Sequence, residues 1–213
     1  MAETASSAVD ERLLRPVGET VALDWAGLAR YLGGRGIAFD PAQTVRQFAG
    51  GYGNLNYLIR AGGGLAVLRR PPFGDIPRGA NDMGREFRVL SVLAPVWPLA
   101  PKPVVYCDDP APIGAPFLIS EYRAGLPLHG TTPLGTRMTK ARARDLSLLQ
   151  IDILTQLHRF DIDAIGAGAL GRREGFAART LRGWRQRLAG AGTAPPPDAA
   201  RLMARLETAL PRD

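Results

Sequence analysis

The sequence holds one cysteine, Cys107, in 213 residues. One thiol closes no internal disulfide and cannot alone build a cysteine-based metal centre. There is no apolar run of about 18 residues, the length a membrane-spanning helix needs. The opening "MAETASSAVDERLLRP" has no basic segment ahead of an apolar one, so it does not read as a secretory leader. A cytoplasmic location without a membrane partner is the expectation. Histidine is scarce (His129 and His158), and so is asparagine (Asn54, Asn56 and Asn81). Only Lys102 and Lys140 among the 27 basic residues are lysine. With so much Ala, Gly and Pro, that reflects codon bias rather than chemistry.

The rest of the composition is that of a globular protein, 46% hydrophobic and 22% charged. The net charge of +7 is uneven. Residues 1–136 carry 13 basic and 12 acidic side chains, net +1; residues 137–213 carry 14 and 8, net +6. A basic half raises nucleic acid as a partner. Base stacking needs interleaved exposed aromatics. That half offers only Phe160, Phe176 and Trp184, all on apolar stripes. A solvated, arginine-rich helix surface is the expectation, with no nucleic acid.

Along the chain, residues 1–20 read as poorly ordered, and Trp25, Leu28 and Leu32 mark one helical face. "TVRQFAGGYGNLNYLIR" then reads as two strands joined by a glycine turn. "LAVLRRPP" adds a third, stopped by prolines. Met83, Phe87, Leu90 and Ala94 have helical spacing, with Asn81 or Asp82 as the cap. "VVYC" and "PFLISEY" are two further strands. Beyond them lie three helices, striped by Leu146 to Phe160, Phe176 to Leu188 and Leu202 to Leu210. The fold class is α+β: a five-stranded antiparallel sheet with one inserted helix, then helices. We divide the chain into an N-terminal extension with a helix (1–43), a sheet lobe (44–122) and a helical lobe (123–213).

The glycines Gly50, Gly51 and Gly53 admit two uses. They allow a tight hairpin, which needs positive φ. They also let backbone N–H groups approach a phosphate. Three features in order favour the second use. A glycine turn joins the first two strands, the third strand ends in Arg69-Arg70, and the next helix carries Glu86. Phosphoryl transfer needs phosphate charge positioned and neutralised. A strand cation held by a helix carboxylate does that. Taken singly, these arginines and Glu86 would be ordinary solvated side chains, and Phe87, Leu90 and Trp184 read as core.

The stretches "GGYGNLNYLI", "LAVLRRPPFG", "REFRVLSVLA", "PVVYCDD", "IGAPFLISEYRAG", "LTQLHRFD" and "LRGWRQRL" occur in order between about residues 45 and 188. Together they resemble the aminoglycoside phosphotransferase-like, or choline-kinase-like, family. They are most similar to its branch associated with acyl-CoA dehydrogenases. The resemblance implies a protein-kinase-like fold, ATP or GTP with Mg²⁺, and transfer to a small-molecule hydroxyl. It implies that Gly51, Gly53 and Asn54 cover the phosphates and that Arg69 is the phosphate cation with Glu86 as its partner. Glu121 and Tyr122 would lie on the adenine-facing hinge.

The family's catalytic Asp, and the Asn and second Asp that hold Mg²⁺, find no counterpart. No asparagine follows Asn81. "LHRFD", with His158 and Asp161, matches an upstream helix of the family and not its catalytic loop. No catalytic or metal-binding residue is therefore assigned. The expectation is a truncated or degenerate chain, inactive by itself, with a non-catalytic nucleotide-binding or interaction module as the alternative. The Leu202, Leu206 and Leu210 stripe should then be exposed.

Overall fold

Alternation in residues 55–70 sends every second side chain to the same side of the sheet. Leu55–Ala61 (β2) and Gly64–Arg70 (β3) form an antiparallel hairpin in which Tyr57 faces Leu68 and Ile59 faces Ala66. These four side chains are buried. A short strand, Arg46–Gln47 (β1), pairs with β2, while Phe117–Glu121 (β5) pairs with β3 and with Pro103–Cys107 (β4). The sheet order is β1-β2-β3-β5-β4, and each of these pairings is antiparallel. In this computed structural model, residues 9–51, 53–74, 81–125, 138–172, 174–192 and 194–211 are described. His129 falls outside them.

The two faces of the sheet take different helices. Trp25–Gly33 (α1), capped by Asp24 through a 2.7 Å bond from the Gly27 N–H, lies on the first face. Its Leu28 and Leu32, four residues apart, are both fully buried there. Trp25 meets Tyr57 edge-on at 5.5 Å between ring centroids, and Tyr31 meets Phe117 at 5.4 Å. Met83–Leu93 (α2) lies on the other face, where Phe87 stacks on Tyr106 at 5.9 Å. Phe87 and Leu90 are only partly buried. The N-cap of α2 is Asp82, which accepts the Arg85 N–H at 2.8 Å. Asn81 is engaged elsewhere.

Residues 9–20 are more ordered than their sequence suggests. Asp10 and Pro16 each start a short 3₁₀ turn. Between the turns, Leu14 bridges Phe48 and is buried. Arg15 N–H donates to the Gln47 carbonyl and Ala49 N–H to the Leu13 carbonyl, both at 2.8 Å. The edge of β1 is thereby paired, which removes an open edge that would otherwise recruit another chain.

The chain divides into two compact units, one ending at Asp161 and the other starting at Ile162. The first also holds Lys140–His158 (α3), none of whose residues is buried. In the second, Phe176–Ala189 (α4) packs on Pro197–Thr208 (α5). Only Leu181 of these two helices is buried. Trp184 is 57% exposed, contrary to its reading as core, with the Arg187 guanidinium 4.3 Å from its ring centroid. Leu202, Leu206 and Leu210 are exposed as well. No helix among the described residues is long and apolar enough to cross a membrane.

Tyr57 is fully buried, yet its hydroxyl has no hydrogen-bond partner among the described residues. Burial raises its pKa above the usual value near 10. An unpaired buried hydroxyl costs about 1–3 kcal/mol. Tyr57→Phe should therefore leave stability unchanged or raise it by about 1 kcal/mol in urea unfolding. The unfolded phenol ionises before the folded one, so the Tyr57 contribution is complete below pH 10 and declines above it. The Phe variant should lose less stability than wild type as pH rises past 10. A clear loss of stability at neutral pH would mean that the hydroxyl is satisfied.

Candidate functional site: the glycine loop, Arg69 and Glu86

β3 delivers two adjacent arginines to opposite faces of the sheet. Arg70 continues the buried side of the strand and is only 2% exposed. Its Nε donates to the Pro71 carbonyl at 2.9 Å, its Nη1 to the Ile113 carbonyl at 3.3 Å, and its guanidinium lies 4.1 Å from the Phe73 ring centroid. Burial lowers its pKa. Arg70 is thus a structural cation, contrary to the solvated strand end its sequence position suggests. Arg69 emerges on the face of α2. Its Nη1 lies 2.5 Å from Glu86 Oε1, and its Nε donates to Asn56 Oδ1 at 2.9 Å. No described residue accepts from Nη2.

Both partners of the ion pair keep about a third of their side-chain surface exposed (36% for Arg69, 33% for Glu86). Such a pair contributes only about 0.2–1 kcal/mol to folding. Its stronger effect is orientation, because a planar fork held at two of its nitrogens presents the third in a defined direction.

The glycine loop follows β1. Phe48 N–H donates to the Asn56 carbonyl at 2.9 Å, which fixes the root of the loop against β2. Gly51 has φ +103, a conformation L side chains rarely adopt. A Cβ at this position would also lie 3.3 Å from Asn56 Nδ2. Gly53 has its carbonyl held by Asn81 Nδ2. Asn54 Oδ1 is buried and has no hydrogen-bond partner among the described residues.

The hinge residues separate. Tyr122 stacks on Phe48 at 6.3 Å between centroids and 20° between planes, which joins the end of β5 to the root of the loop. Burial, with a smaller effect from the Asp10 carboxylate, raises the pKa of its phenol. Tyr122 N–H donates to the Leu65 carbonyl at 3.2 Å. Glu121 turns away from Arg69: its carboxylate accepts the Lys102 N–H at 3.1 Å and pairs with Arg123 at 3.2 Å. Its own N–H donates to the Lys102 carbonyl at 2.8 Å. Both N–H groups are thus used within the sheet.

Arg69 and Glu86 are brought together directly, Gly51 and Gly53 through Asn56 and Asn81, and Tyr122 through Phe48. Asn56, Asn81 and Phe48 escaped the sequence reading as site residues. A signal was available: the three asparagines of the whole sequence all gather here.

Comparison with known proteins bears on this arrangement. The sequence model of the Phosphotransferase enzyme family (APH) matches residues 44–213. The chain belongs to that family. Among curated relatives of this phosphotransferase-family chain, acyl-CoA dehydrogenase family member 10 of Mus musculus is 29% identical over 199 residues, covering 93% of the chain and 18% of the relative. Acyl-CoA dehydrogenase family member 11 of Homo sapiens is 28% identical over 159 residues, covering 75% and 20%. The chain thus spans about a fifth of the length of these relatives. A crystal structure from Ralstonia eutropha JMP134, provisionally assigned as an aminoglycoside phosphotransferase, aligns with TM-score 0.61 and 24% identity over 90% of this chain and 55% of its own. At that identity the likeness shows the fold alone, which is kinase-like.

One glycine limits how closely α2 approaches the sheet. A Cβ on Gly84 would lie 2.9 Å from the Tyr106 hydroxyl oxygen. Gly84→Ala should therefore push α2, and Glu86 with it, off the sheet, at a cost of about 1–3 kcal/mol in chemical unfolding. Tyr106→Phe in the same chain should recover part of that cost. If Gly84→Ala is neutral, the contact does not set the position of the helix.

Proposed function

We propose that residues 44–122 bind the phosphates of a nucleoside triphosphate, ATP or GTP, between the glycine loop and Arg69, as the first half of a small-molecule phosphotransferase site. The observation that carries this reading is the guanidinium of Arg69. It is held by Glu86 and Asn56 at 2.5 and 2.9 Å, with no described residue accepting from Nη2, and a neighbouring strand end leads into a loop whose Gly51 has φ +103. Family membership supports phosphoryl transfer as the reaction class, and we propose a small-molecule hydroxyl as the acceptor. At Glu121 and Tyr122 the backbone N–H groups are engaged, so a purine edge would meet carbonyls here or the backbone from Arg123 onward.

Mg²⁺ does not fit the residues present. Among the described residues, no group of three or more His, Cys, Asp or Glu side chains converges as a metal site. The sequence has no asparagine beyond Asn81 to serve as a metal ligand. For this chain alone we therefore propose nucleotide binding without transfer. The lobe division at residues 122–123 follows the same reading, with the acceptor bound by helices beyond it.

A thermal-shift titration with a non-hydrolysable ATP analogue, with and without Mg²⁺, tests the proposal. The chain should be stabilised in a saturable manner, whereas Arg69→Met should need markedly more analogue for the same shift. Absence of any shift at millimolar analogue would defeat the nucleotide reading. Steady release of phosphate from ATP by the pure chain would defeat the reading of binding without transfer.

A further inference from the structure

The contacts around Arg69 close into a ring. Gly53 is held through its carbonyl by Asn81 Nδ2. Asn81 directly precedes Asp82, the N-cap of α2. One helical turn on, Glu86 N–H donates to the Asp82 carbonyl at 3.2 Å. Glu86 holds Arg69, Arg69 holds Asn56, and Asn56 Nδ2 packs beside Gly51 without a hydrogen bond to it, 3.3 Å from where a Cβ would stand and two residues from where the ring began.

We propose that Asn56 and Asn81 are positioning residues that make the glycine loop and the Arg69–Glu86 pair move as one unit. The inference rests on the nucleotide reading above for its ligand but not for its mechanics. A phosphate drawn against the loop would then also fix the cation that receives it.

The chemistry of each amide supports this. A guanidinium only donates, so the Asn56 oxygen must face Arg69 and its NH₂ must face the loop. Asn81 has φ 55, the single non-glycine with positive φ among the described residues. Asparagine tolerates that region better than most side chains. Its backbone therefore turns sharply at the helix entrance while its side chain reaches back to Gly53.

Two variants isolate the Asn81 contact. Asn81→Gly keeps the left-handed backbone and removes the amide. Asn81→Asp keeps the shape and removes the donor. In hydrogen exchange of the ligand-free chain, both should accelerate the hydrogen-bonded amides of Phe48 at the root of the loop and Glu86 on the helix by about fivefold, the equivalent of one neutral hydrogen bond, and leave β4 and β5 unchanged. Unchanged loop exchange in both variants would overturn the proposal.

With an ATP analogue, both variants should bind about fivefold more weakly while adenosine binding stays the same, because only the phosphate grip is altered. Equal losses for analogue and adenosine would indicate a merely structural role. In a double-mutant cycle, Asn81→Gly combined with Glu86→Gln should lose less analogue affinity than the sum of the single losses, since both break the same ring. Additive losses would refute the coupling. If wild type fails to bind the analogue, the nucleotide reading falls, and the exchange experiment still decides whether loop and helix are tied.

Discussion

The orientation of one guanidinium organises this face of the molecule. Arg69 has five N–H donors in a rigid plane. Glu86 and Asn56 restrain that plane at two of its nitrogens, and no described residue accepts from the third. The pair contributes little to folding because both partners stay partly exposed. Much of the nearby structure nevertheless serves it. β3 delivers the arginine, Asp82 sets where α2 starts, and Gly84 lets the helix lie close enough for its carboxylate to reach. Lysine at this position would carry the charge without the planar fork, so one bond could not fix its direction.

The sheet separates two tasks by parity. Tyr57, Ile59, Ala66, Leu68, Phe117 and Ile119 face α1 and form the core. Asn56 and Arg69 stand opposite one another on β2 and β3 and face the other way. A one-residue slip would exchange the two sets, burying Arg69 and exposing the core. The adjacent Arg70 shows the burial side of that alternation, with its charge met by backbone carbonyls and an aromatic face. The N-terminal turns reinforce the register from outside by pairing Leu14 with Phe48 at the root of the loop.

Most of the fold was legible because it is written in local periodicity. Alternation marked β2 and β3, the Met83–Phe87–Leu90 spacing marked α2, and the glycines marked the intervening turn. Arg69 and Glu86 were legible as a pair only through their order along a recognisable family pattern. Other features depend on tertiary structure that periodicity does not encode. Residues 9–20 are polar and lack a repeat, yet they order because β1 offers unpaired backbone groups. Asn81 looked like a helix cap. Asp82 takes that task, which leaves the amide for Gly53. Leucine stripes on α3 and α5 and the exposed Trp184 show the reverse limit: spacing reveals an apolar face but not whether anything covers it.

Isothermal titration of the chain with adenosine, ADP and a non-hydrolysable ATP analogue, for wild type and Arg69→Met, tests the phosphate role of Arg69 most directly. Wild type should bind progressively more tightly as phosphates are added. Arg69→Met should bind all three alike, at the affinity of adenosine. If the variant discriminates among them as wild type does, Arg69 does not hold the phosphates and the account of this site is wrong.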